Sequence, residues 1–333
     1  MNKQDVVQSI TGGQFEAAAA NGTASAPANI ALCKYWGKRN EEINLPVTSS
    51  LSVSLGHLGT TTTVEPVAGA DEVILNGLPV PEDTTFARRL RAYLDLFRRD
   101  AKQGFKVITH NTIPTAAGLA SSASGYAALA LAMNELFGWD LDRRELSILA
   151  RLGSGSASRS VYHGFVQWHA GSQDDGLDSF AELLPETWPD LRMGLVKIST
   201  MEKTVSSRDA MRETVAESVL YRSWPSQVER DLQIIRQAIA EQAFDTLGRA
   251  AENNALAMHA TAIAAWPPTL FWWPESVKAM QKVWALRANG MPVYFTMDAG
   301  PNIKLLSDKQ NVRAIQNEFP DVEWVAPFDE SAR

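Results

Sequence analysis

A run of mostly small residues, PTAAGLASSA, leads from Pro114 to Ala123 directly into a helical pattern. Small side chains let the backbone approach an anion closely, and the unpaired N–H groups and dipole of a first helical turn favour negative charge. The same residues also suit a loop that simply packs tightly, so the segment alone leaves both interpretations open. It has neither the Gly-Lys-Ser/Thr of a Walker A loop nor GxGxxG, which indicates a different nucleotide-binding architecture.

The rest of the chain mixes strand and helix patterns. A helix is predicted over residues 123–137, where Tyr126, Leu129 and Met133 recur at helical spacing and Gly138 follows as a stop. Further helices are predicted over residues 84–100, 142–151, 226–241, 244–263, 274–289 and 308–318. Strands are predicted over residues 51–55, 60–67, 72–75, 164–168, 193–198, 293–297, 303–306 and 322–325. Strands that cluster early, with helices interleaved later, predict an α+β protein rather than a doubly wound parallel sheet.

The composition limits the classes of function. The 333 residues suffice for two domains with buried cores, and the formal net charge of −7, without a block of Lys and Arg, argues against nucleic acid as a partner. The single cysteine, Cys33, excludes an internal disulfide framework and a cysteine-based zinc cluster. No apolar run approaches the roughly 18 residues that span a bilayer, and the N-terminal segment is too polar for a secretory signal. We therefore expect a cytoplasmic protein with neither a nucleic-acid nor a membrane partner.

The boundary between the two domains is expected near residues 190–200, after the stretch LLPETWPDL at 183–191, which is rich in Pro and Asp. We assign the N-terminal domain to residues 23–195 and the C-terminal domain to residues 196–333. Residues 1–22 are expected to form a poorly ordered N-terminal extension.

Three other segments carry polar and cationic groups that a fold alone does not require. They are ANIALCKYWGKRNEEIN (28–44), GSGSASRS (153–160) and KTVSSR (203–208). Each can supply N–H, hydroxyl and cationic donors to phosphate oxygens. Taken singly, each also fits a solvated surface turn.

Asp298, in MDAGPN, follows the apolar strand pattern VYFTM. A turn-forming Asp before Gly-Pro is one explanation for it. A carboxylate at a strand end beside a Gly-containing loop is also a common position for a general base. The residue is therefore a candidate for catalysis as well as for a turn.

Together these segments resemble the mevalonate diphosphate decarboxylase family of the GHMP kinase superfamily, from Ser25 to Asp321. The most specific pieces are ANIALCKYWGKRNEEINLPVTSSLSVSL (28–55), PTAAGLASSASGYAALA (114–130), RLGSGSASRSVYHGFVQW (151–168) and MDAGPNIKLL (297–306). The small-residue loop is shared by superfamily kinases of many substrates, whereas KYWGK and DAGPN are typical of the decarboxylase branch. The resemblance implies a two-domain α+β GHMP kinase fold, with a deep cleft between an N-terminal ATP-binding domain and a C-terminal domain, and a homodimer.

Enzymes of this family use MgATP to phosphorylate the tertiary 3-hydroxyl of mevalonate 5-diphosphate. The 3-phosphate then leaves as CO2 is lost, which gives isopentenyl diphosphate, ADP and phosphate. The resemblance implies this activity for the chain, in isoprenoid biosynthesis by the mevalonate pathway, with ATP and Mg²⁺ as cofactors. The alternatives are a phosphomevalonate decarboxylase, a small-molecule kinase of the same superfamily, or a catalytically silent relative that binds ligands.

The resemblance also assigns catalytic roles to individual residues. Asp298 accepts or orients the proton of the 3-hydroxyl during phosphoryl transfer. Lys34 keeps Asp298 ionised and steadies the moving phosphoryl group, because an opposite charge at about 4–6 Å favours a carboxylate. Arg159, with Asn29, matches the positions that bind the C1 carboxylate.

The remaining positions divide between the phosphates of the two substrates. The ATP phosphates are expected against Pro114, Ala117, Gly118, Leu119, Ala120, Ser121 and Ser122. The hydroxyls of Ser121 and Ser122 are expected near the γ-phosphate and Mg²⁺. The 5-diphosphate is expected against Tyr35, Lys38, Ser154, Gly155, Ser156, Ser207 and Arg208.

The sequence departs from the family pattern at a few positions. Ser158 stands where the GSGSACRS form has Cys, Met297 where Phe is common, and Ala210 where Gly is usual. Some members carry an Arg ahead of the Thr-rich start of a helix, around the position of Asp83. No counterpart is identified in this sequence, so that contact is not assigned. None of these departures removes a group with an assigned role, but they leave the choice between 5-diphosphate and 5-monophosphate open.

The histidines show no zinc-ligand spacing and fit surface or core positions. Among them, His259 lies in a predicted helix just before the segment WPPTLFWW, so proximity to substrate is an alternative for it. The segment from Trp266 to Trp273 is interpreted as core or dimer surface, because no basic residues interleave with its aromatic ones.

Overall fold

A computed structural model describes residues 1–100, 102–113, 121–199 and 205–329, and of Ser121 the backbone alone. Its helices are α1 (Lys3–Thr11), α2 (Thr85–Leu94), α3 (Ser121–Phe137), α4 (Arg143–Gly153), α5 (Ser207–Glu217), α6 (Trp224–Ala240), α7 (Phe244–Ile263), α8 (Pro274–Ala288) and α9 (Val312–Glu318). Its strands are β1 (Gly22–Cys33), β2 (Lys38–Asn40), β3 (Leu45–Pro46), β4 (Ser50–Ala68), β5 (Glu72–Leu75), β6 (Leu78–Pro79), β7 (Gln103–Asn111), β8 (Phe165–Trp168), β9 (Ala181–Leu183), β10 (Leu191–Val196), β11 (Tyr294–Met297), β12 (Ile303–Asp308) and β13 (Glu323–Val325). Among the helices described, none is both long and apolar enough to cross a membrane.

Strand β4 is the centre of the first sheet. It pairs antiparallel with β1, β7 and β8, and β5 adds parallel to β7. The sequence pattern predicts two strands here, over 51–55 and 60–67, whereas the structure joins them through Gly56. Gly56 has a φ of 52°, which glycine adopts without steric penalty. The ladder with β1 shifts register between Pro27 and Asn29, so one bulged strand replaces the two that were predicted.

Helix α3, which is predicted over residues 123–137 from its spacing, packs against this sheet. Its Ala127, Ala128 and Ala132 are completely buried, and their small side chains let the helix lie close to β1. A Cβ at Gly22, on β1, would lie 2.0 Å from the Ala132 carbonyl oxygen. The small residues therefore bring the start of α3, which follows the predicted phosphate loop, against the sheet.

The second sheet has the strand order β11-β12-β10-β13. Phe295, Leu305 and Ile315 fill its core beneath α8 and α9. Strand β10 pairs with both β12 and β13, so the chain enters this sheet at Leu191. The expected domain boundary after residue 195 falls inside that strand, a few residues later than the change of sheet.

One continuous apolar core joins the two domains. Ile30 and Leu32 of β1 belong to the same buried cluster as Ile235 of α6 and Leu247 of α7. Burial of this shared surface fixes the two domains against each other, since removal of apolar area from water is the main stabilising term in folding. The polar segment that follows β1 consequently faces the second domain, where Tyr221 and Trp224 both donate to the carbonyl of Trp36.

Helix α1 corrects the expectation that residues 1–22 are poorly ordered. Asn2 and Asp5 form a capping box at its start, and Val6 and Val7 are completely buried. Phe15, which follows the helix, is part of the same core of the first domain. Val6, Val7 and Phe15 of this polar segment find partners in the tertiary structure, which the local composition does not reveal.

Candidate active site

A cavity of about 650 Å³ lies between the two domains. The first domain lines it with residues of β1, α3 and the segment after α4, and the second domain lines it with the start of α5 and the turn after β11. The predicted residues that line it are Asn29, Lys34, Tyr35, Lys38, Ser122, Ser154, Gly155, Ser156, Arg159, Ser207, Arg208 and Asp298. The fold thus gathers segments from distant parts of the sequence around one space.

Asp298 lies directly after β11 and faces this cavity. Its Oδ1 is 3.0 Å from Lys34 Nζ, and its Oδ2 is 3.3 Å from Lys304 Nζ. The two lysines are 1% and 2% exposed, whereas the Asp298 side chain is 33% exposed. The carboxylate is therefore exposed to the cavity and forms ion pairs with two buried lysines, an arrangement that favours its ionised form.

Lys34 is itself fixed by contacts from both domains. Its Nζ donates to the carbonyl of Ala31 at 2.8 Å, and its backbone N–H donates to Asn254 Oδ1 at 2.7 Å. The Asn254 amide in turn donates to Asp231 at 2.8 Å. Burial lowers the pKa of Lys34, and the charge of Asp298 opposes that lowering. The nitrogen of Lys34 is thus held in one position, 3.0 Å from the carboxylate whose charge stabilises the ammonium form.

His259 lies behind Asp298. Its side chain hydrogen-bonds the backbone of Asp298, and burial lowers its pKa to about 3. The imidazole is therefore neutral at pH 7. It supports the turn that carries the carboxylate, so the residue belongs to the surroundings of the site rather than to the surface.

Arg159 lies on the opposite wall, in the 3-10 segment Gly155–Val161. Its guanidinium donates to the hydroxyls of Ser50 and Ser52 and, at 3.3 Å, to Asn29 Oδ1. It is 3% exposed, and burial lowers its pKa to about 10. Its hydrogen-bond partners are neutral, so the guanidinium retains a full positive charge that can bind an anion in the cavity.

A second group of donors lies at the other end of the cavity. The hydroxyl of Ser154 is 3.3 Å from those of Ser122 and Ser156. Arg208 is exposed in the first turn of α5, where Ser206 is the N-cap. Backbone N–H groups at a helix start favour an anion, so these side chains and the start of α5 converge on one region.

Tyr35 presents a buried hydroxyl to the cavity. Among the described residues, its oxygen has no hydrogen-bond partner, and burial raises the pKa of the phenol. Its ring packs edge-on against Trp168, with 4.8 Å between centroids. A Cβ at Gly155 would come within 2.8 Å of the Tyr35 ring, so the glycine of GSGS permits this packing.

Comparison with known proteins identifies the family. Residues 26–181 match the diphosphomevalonate decarboxylase-like N-terminal domain, and residues 195–325 match the mevalonate 5-diphosphate decarboxylase C-terminal domain. The chain belongs to the diphosphomevalonate decarboxylase family. It is similar to diphosphomevalonate decarboxylase mvd1 of Aspergillus fumigatus, with 40% identity over 304 residues that cover 84% of this chain and 75% of the relative.

Solved structures of the diphosphomevalonate decarboxylase family share the fold. MDDEF in complex with MVAPP, AMPPCP and magnesium is 45% identical and superposes with a TM-score of 0.86, covering 92% of this chain and 96% of that one. Mevalonate diphosphate decarboxylase from Staphylococcus aureus is 38% identical, with a TM-score of 0.87 and coverage of 92% and 95%. The expected α+β fold of two GHMP-kinase-type domains is thereby confirmed.

The predicted nucleotide positions fall only partly within the described residues. Pro114, Ala117, Gly118, Leu119 and Ala120 lie outside them. Ser121 begins α3 with its side chain undescribed, and Ser122 lines the cavity. The assignment of this loop to ATP therefore stays a prediction from the family resemblance.

Lys304 and Asn254 are parts of the site that the sequence analysis missed. Lys304 is a lysine in the apolar strand IKLL of β12, and a charge at a strand position of that kind signals a buried partner. Asn254 lies in α7 directly after Glu252 and Asn253, so a polar residue at this position carries no comparable signal. Its contact with Lys34 depends on how the two domains pack.

Ser50, Ser52 and Arg89 were also missed. The serines alternate along β4 in SLSVSL, and a period of two places both on one face of the strand, which is a signal that sequence can supply. Arg89 lines the cavity from α2. It lies six residues after Asp83. The sequence motif around Asp83 did not identify an arginine that matches the one in some family members.

Proposed function

We propose that this chain catalyses the ATP-dependent decarboxylation of mevalonate 5-diphosphate to isopentenyl diphosphate, with release of ADP, phosphate and CO2, in the mevalonate pathway. The observation that carries the proposal is the carboxylate of Asp298, which faces the cavity between Lys34 and Lys304. Membership of the diphosphomevalonate decarboxylase family and the likeness to MDDEF bound to MVAPP, AMPPCP and magnesium support it.

Asp298 acts on the 3-hydroxyl of the substrate. The carboxylate accepts a hydrogen bond from that hydroxyl and takes its proton as the oxygen attacks the γ-phosphate of ATP. Lys34 and Lys304 keep the carboxylate ionised before the substrate arrives, since each lies within 3.3 Å of one of its oxygens. Lys34 also offsets the charge of the phosphoryl group in transit.

Arg159 holds the C1 carboxylate, with Asn29 beside it. A tertiary alcohol is a poor leaving group, and phosphorylation converts it into a good one. Departure of that phosphate builds positive character at C3, and the carboxylate supplies electrons as the bond to CO2 breaks. Ser50 and Ser52 fix the plane of the guanidinium, so the substrate carboxylate is oriented for this step by a rigid group.

The wall beside α3 suits the nucleotide phosphates. Ser122 and Gly125 line the cavity there, and a Cβ at Gly125 would meet nothing within 4 Å. ATP binds with its phosphates against the small-residue loop at 114–122 and the start of α3. The hydroxyls of Ser121 and Ser122, which the family resemblance places near the γ-phosphate, would help to hold Mg²⁺, and the ion would supply further charge neutralisation.

The 5-diphosphate binds at the end of the cavity that carries Lys38 and Arg208. Tyr35, the serines of 153–156 and Ser207 complete its contacts. Converging cations and hydroxyls from three separate segments suit two phosphoryl groups better than one. This favours mevalonate 5-diphosphate over the 5-monophosphate as the substrate.

We also propose a homodimer in the cytoplasm. The exposed apolar side chains of Trp266 and Leu270, at 80% and 64%, support a self-associating face. The single buried thiol of Cys33 is consistent with a reducing compartment. Sedimentation of the protein, compared with its Leu270→Asp variant, tests the dimer.

One assay tests the activity. The purified protein is incubated with MgATP and either mevalonate 5-phosphate or mevalonate 5-diphosphate, and ADP and CO2 are measured separately. We expect both products in equal amounts, with kcat/KM at least about 100-fold higher for the diphosphate. ADP without CO2 would indicate a kinase, equal use of both substrates a phosphomevalonate decarboxylase, and no turnover a silent relative.

A further inference from the structure

Helix α1 is held firmly on the first domain. Val6 and Val7 are completely buried, and the side chain of Gln4 donates to the Leu96 carbonyl at 3.1 Å. The capping box of Asn2 and Asp5 satisfies backbone groups at the start of the helix. The first turn of α1 is thus a fixed structure in spite of its terminal position.

The segment after α1 is anchored as well. The ring of Phe15 packs edge-on against Phe97, Phe137 and Trp139, with 6.5, 6.2 and 6.4 Å between centroids. These aromatic contacts anchor Phe15, in the connection between α1 and β1, in the core of the first domain. Together the two anchors set where the side chains at the beginning of α1 lie.

Lys3, in the first turn of α1, lines the same cavity as Lys38 and Arg208. Lys38 is paired with Glu41. Within the described part of the chain, no ion pair involves Lys3 or Arg208. Two cations from distant parts of the sequence thus line the phosphate end of the cavity, and neither forms an ion pair with a described carboxylate.

The pKa of Lys3 is consistent with this crowding. Burial lowers it, the positive charges of Arg208 and Lys38 lower it further, and Glu42 opposes them. Mutual repulsion of this kind is relieved when an anion binds between the cations. The half-buried ammonium of Lys3 therefore gains more from an anionic ligand than an isolated surface lysine does.

We propose that Lys3 is a substrate-binding residue whose ammonium, together with Lys38 and Arg208, binds the terminal phosphate of the 5-diphosphate. The match to the family's N-terminal domain begins at residue 26, so α1 lies before the region that the family model describes. The proposal rests on the proposed function, because it places the diphosphate at this end of the cavity.

Kinetics with MgATP and mevalonate 5-diphosphate provide the first test. Lys3→Ala should raise KM for the diphosphate about tenfold, with kcat and the KM for ATP unchanged, because the lost contact is a partly solvated charge-assisted hydrogen bond. Lys3→Arg should stay within about threefold of the unmodified protein. Lys278→Ala, which removes an exposed lysine of α8 far from the cavity lining, is the matched control.

A binding measurement separates this proposal from the activity. Calorimetric titration with inorganic pyrophosphate should show about tenfold weaker binding to Lys3→Ala than to the unmodified protein or Lys278→Ala, with equal thermal stability. Absence of turnover by the unmodified protein would refute the proposed function, and the pyrophosphate comparison would still decide the role of Lys3. Equal pyrophosphate affinity of the two proteins, or no binding to either, would overturn the assignment of Lys3.

Discussion

The two ends of the cavity balance positive charge in opposite ways. At the catalytic end, Lys34 and Lys304 are almost completely buried and share one carboxylate, Asp298. At the phosphate end, Lys3 is half-buried and Arg208 is exposed, and neither has an ion-pair partner among the described residues. The protein thus supplies the counter-charge for Lys34 and Lys304 and, at the phosphate end, for Lys38 through Glu41, but leaves that of Lys3 and Arg208 to the ligand.

The cost of burying charge explains this difference. A charge taken out of water needs a partner in the fold, whereas a charge that water still reaches can remain unpaired. The catalytic end is therefore organised before substrate binds, and the phosphate end is completed by the substrate. We expect substitutions at the first end to reduce kcat, and substitutions at the second to raise KM in a manner that depends on salt.

The largest effect is expected from Asp298→Asn. The amide cannot accept the proton of the 3-hydroxyl, and general-base contributions are typically about 10²–10⁴-fold in rate. We expect kcat to fall by at least 100-fold, in line with that range, while ATP binding measured by calorimetry is largely kept. Asp321→Asn, at an exposed position away from the cavity, is the control. A variant that retained more than a tenth of the unmodified kcat would show that Asp298 has another role.

A smaller loss is expected from Arg159→Lys. Lysine keeps the charge but loses the planar fork that contacts Ser50, Ser52 and the substrate carboxylate. We expect kcat to fall about 10- to 100-fold, corresponding to loss of one or two charge-assisted hydrogen bonds, with a smaller change in the KM for ATP. A defect confined to ATP binding would place Arg159 on the nucleotide side.

Arg151→Lys is the matched control for this variant. Arg151 is also completely buried, but it binds the backbone carbonyls of Ile43, Gly176 and Ser179 and does not line the cavity. We expect its replacement to lower the melting temperature and to leave kcat of the folded protein unchanged. The pair of variants separates an arginine that binds substrate from one that holds loops together.

At the phosphate end, Arg208→Ala should weaken the binding of mevalonate 5-diphosphate more than the binding of mevalonate 5-monophosphate. The expected rise in KM for mevalonate 5-diphosphate is about tenfold at low salt and less at high salt, because the exposed charge is screened. Steady-state kinetics at two ionic strengths measure it. Arg212 lies one turn further along α5, in an exposed ion pair with Asp209. Arg212→Ala should leave the KM of both substrates unchanged. An equal loss for both substrates would place Arg208 away from the terminal phosphate.

Much of the fold could be predicted from the sequence. The α+β class, helix α3 and the strands of the second sheet follow from helical spacing and from short apolar runs in the sequence. Helices α1 and α5 could not be predicted in this way. Polar residues dominate both sequences, and each helix buries only three residues, one of them a threonine, so the apolar stripe that identifies a helix is weak in both.

The residues of the site also fall into those that the sequence could identify and those that it could not. Motifs led to Asp298, Lys34 and Arg159 because polar residues stand out in apolar or small-residue segments. Lys3 and Asn254 carry no such local signal, since each acts through contacts with an element far away in the sequence. The domain packing that brings these elements together is set by the whole core and is not written in any single segment.

The smallest effect on activity, and a clear one on stability, is expected from His259→Gln at the catalytic end. His259 has a folded-state pKa of about 3, below the ordinary value of about 6.5. The unfolded chain therefore binds more protons between these values, so the stability that neutral His259 contributes is complete above about pH 6.5 and is lost as the pH falls toward 3. Glutamine removes this titration, and the free energy of unfolding should depend less steeply on pH across that window, by up to about 1.4 kcal/mol per pH unit. Urea unfolding at a series of pH values measures the slope, with His57→Gln as an exposed control. Identical slopes for the unmodified protein and His259→Gln would show that protonation of this buried histidine does not limit the stability of the catalytic end in acid.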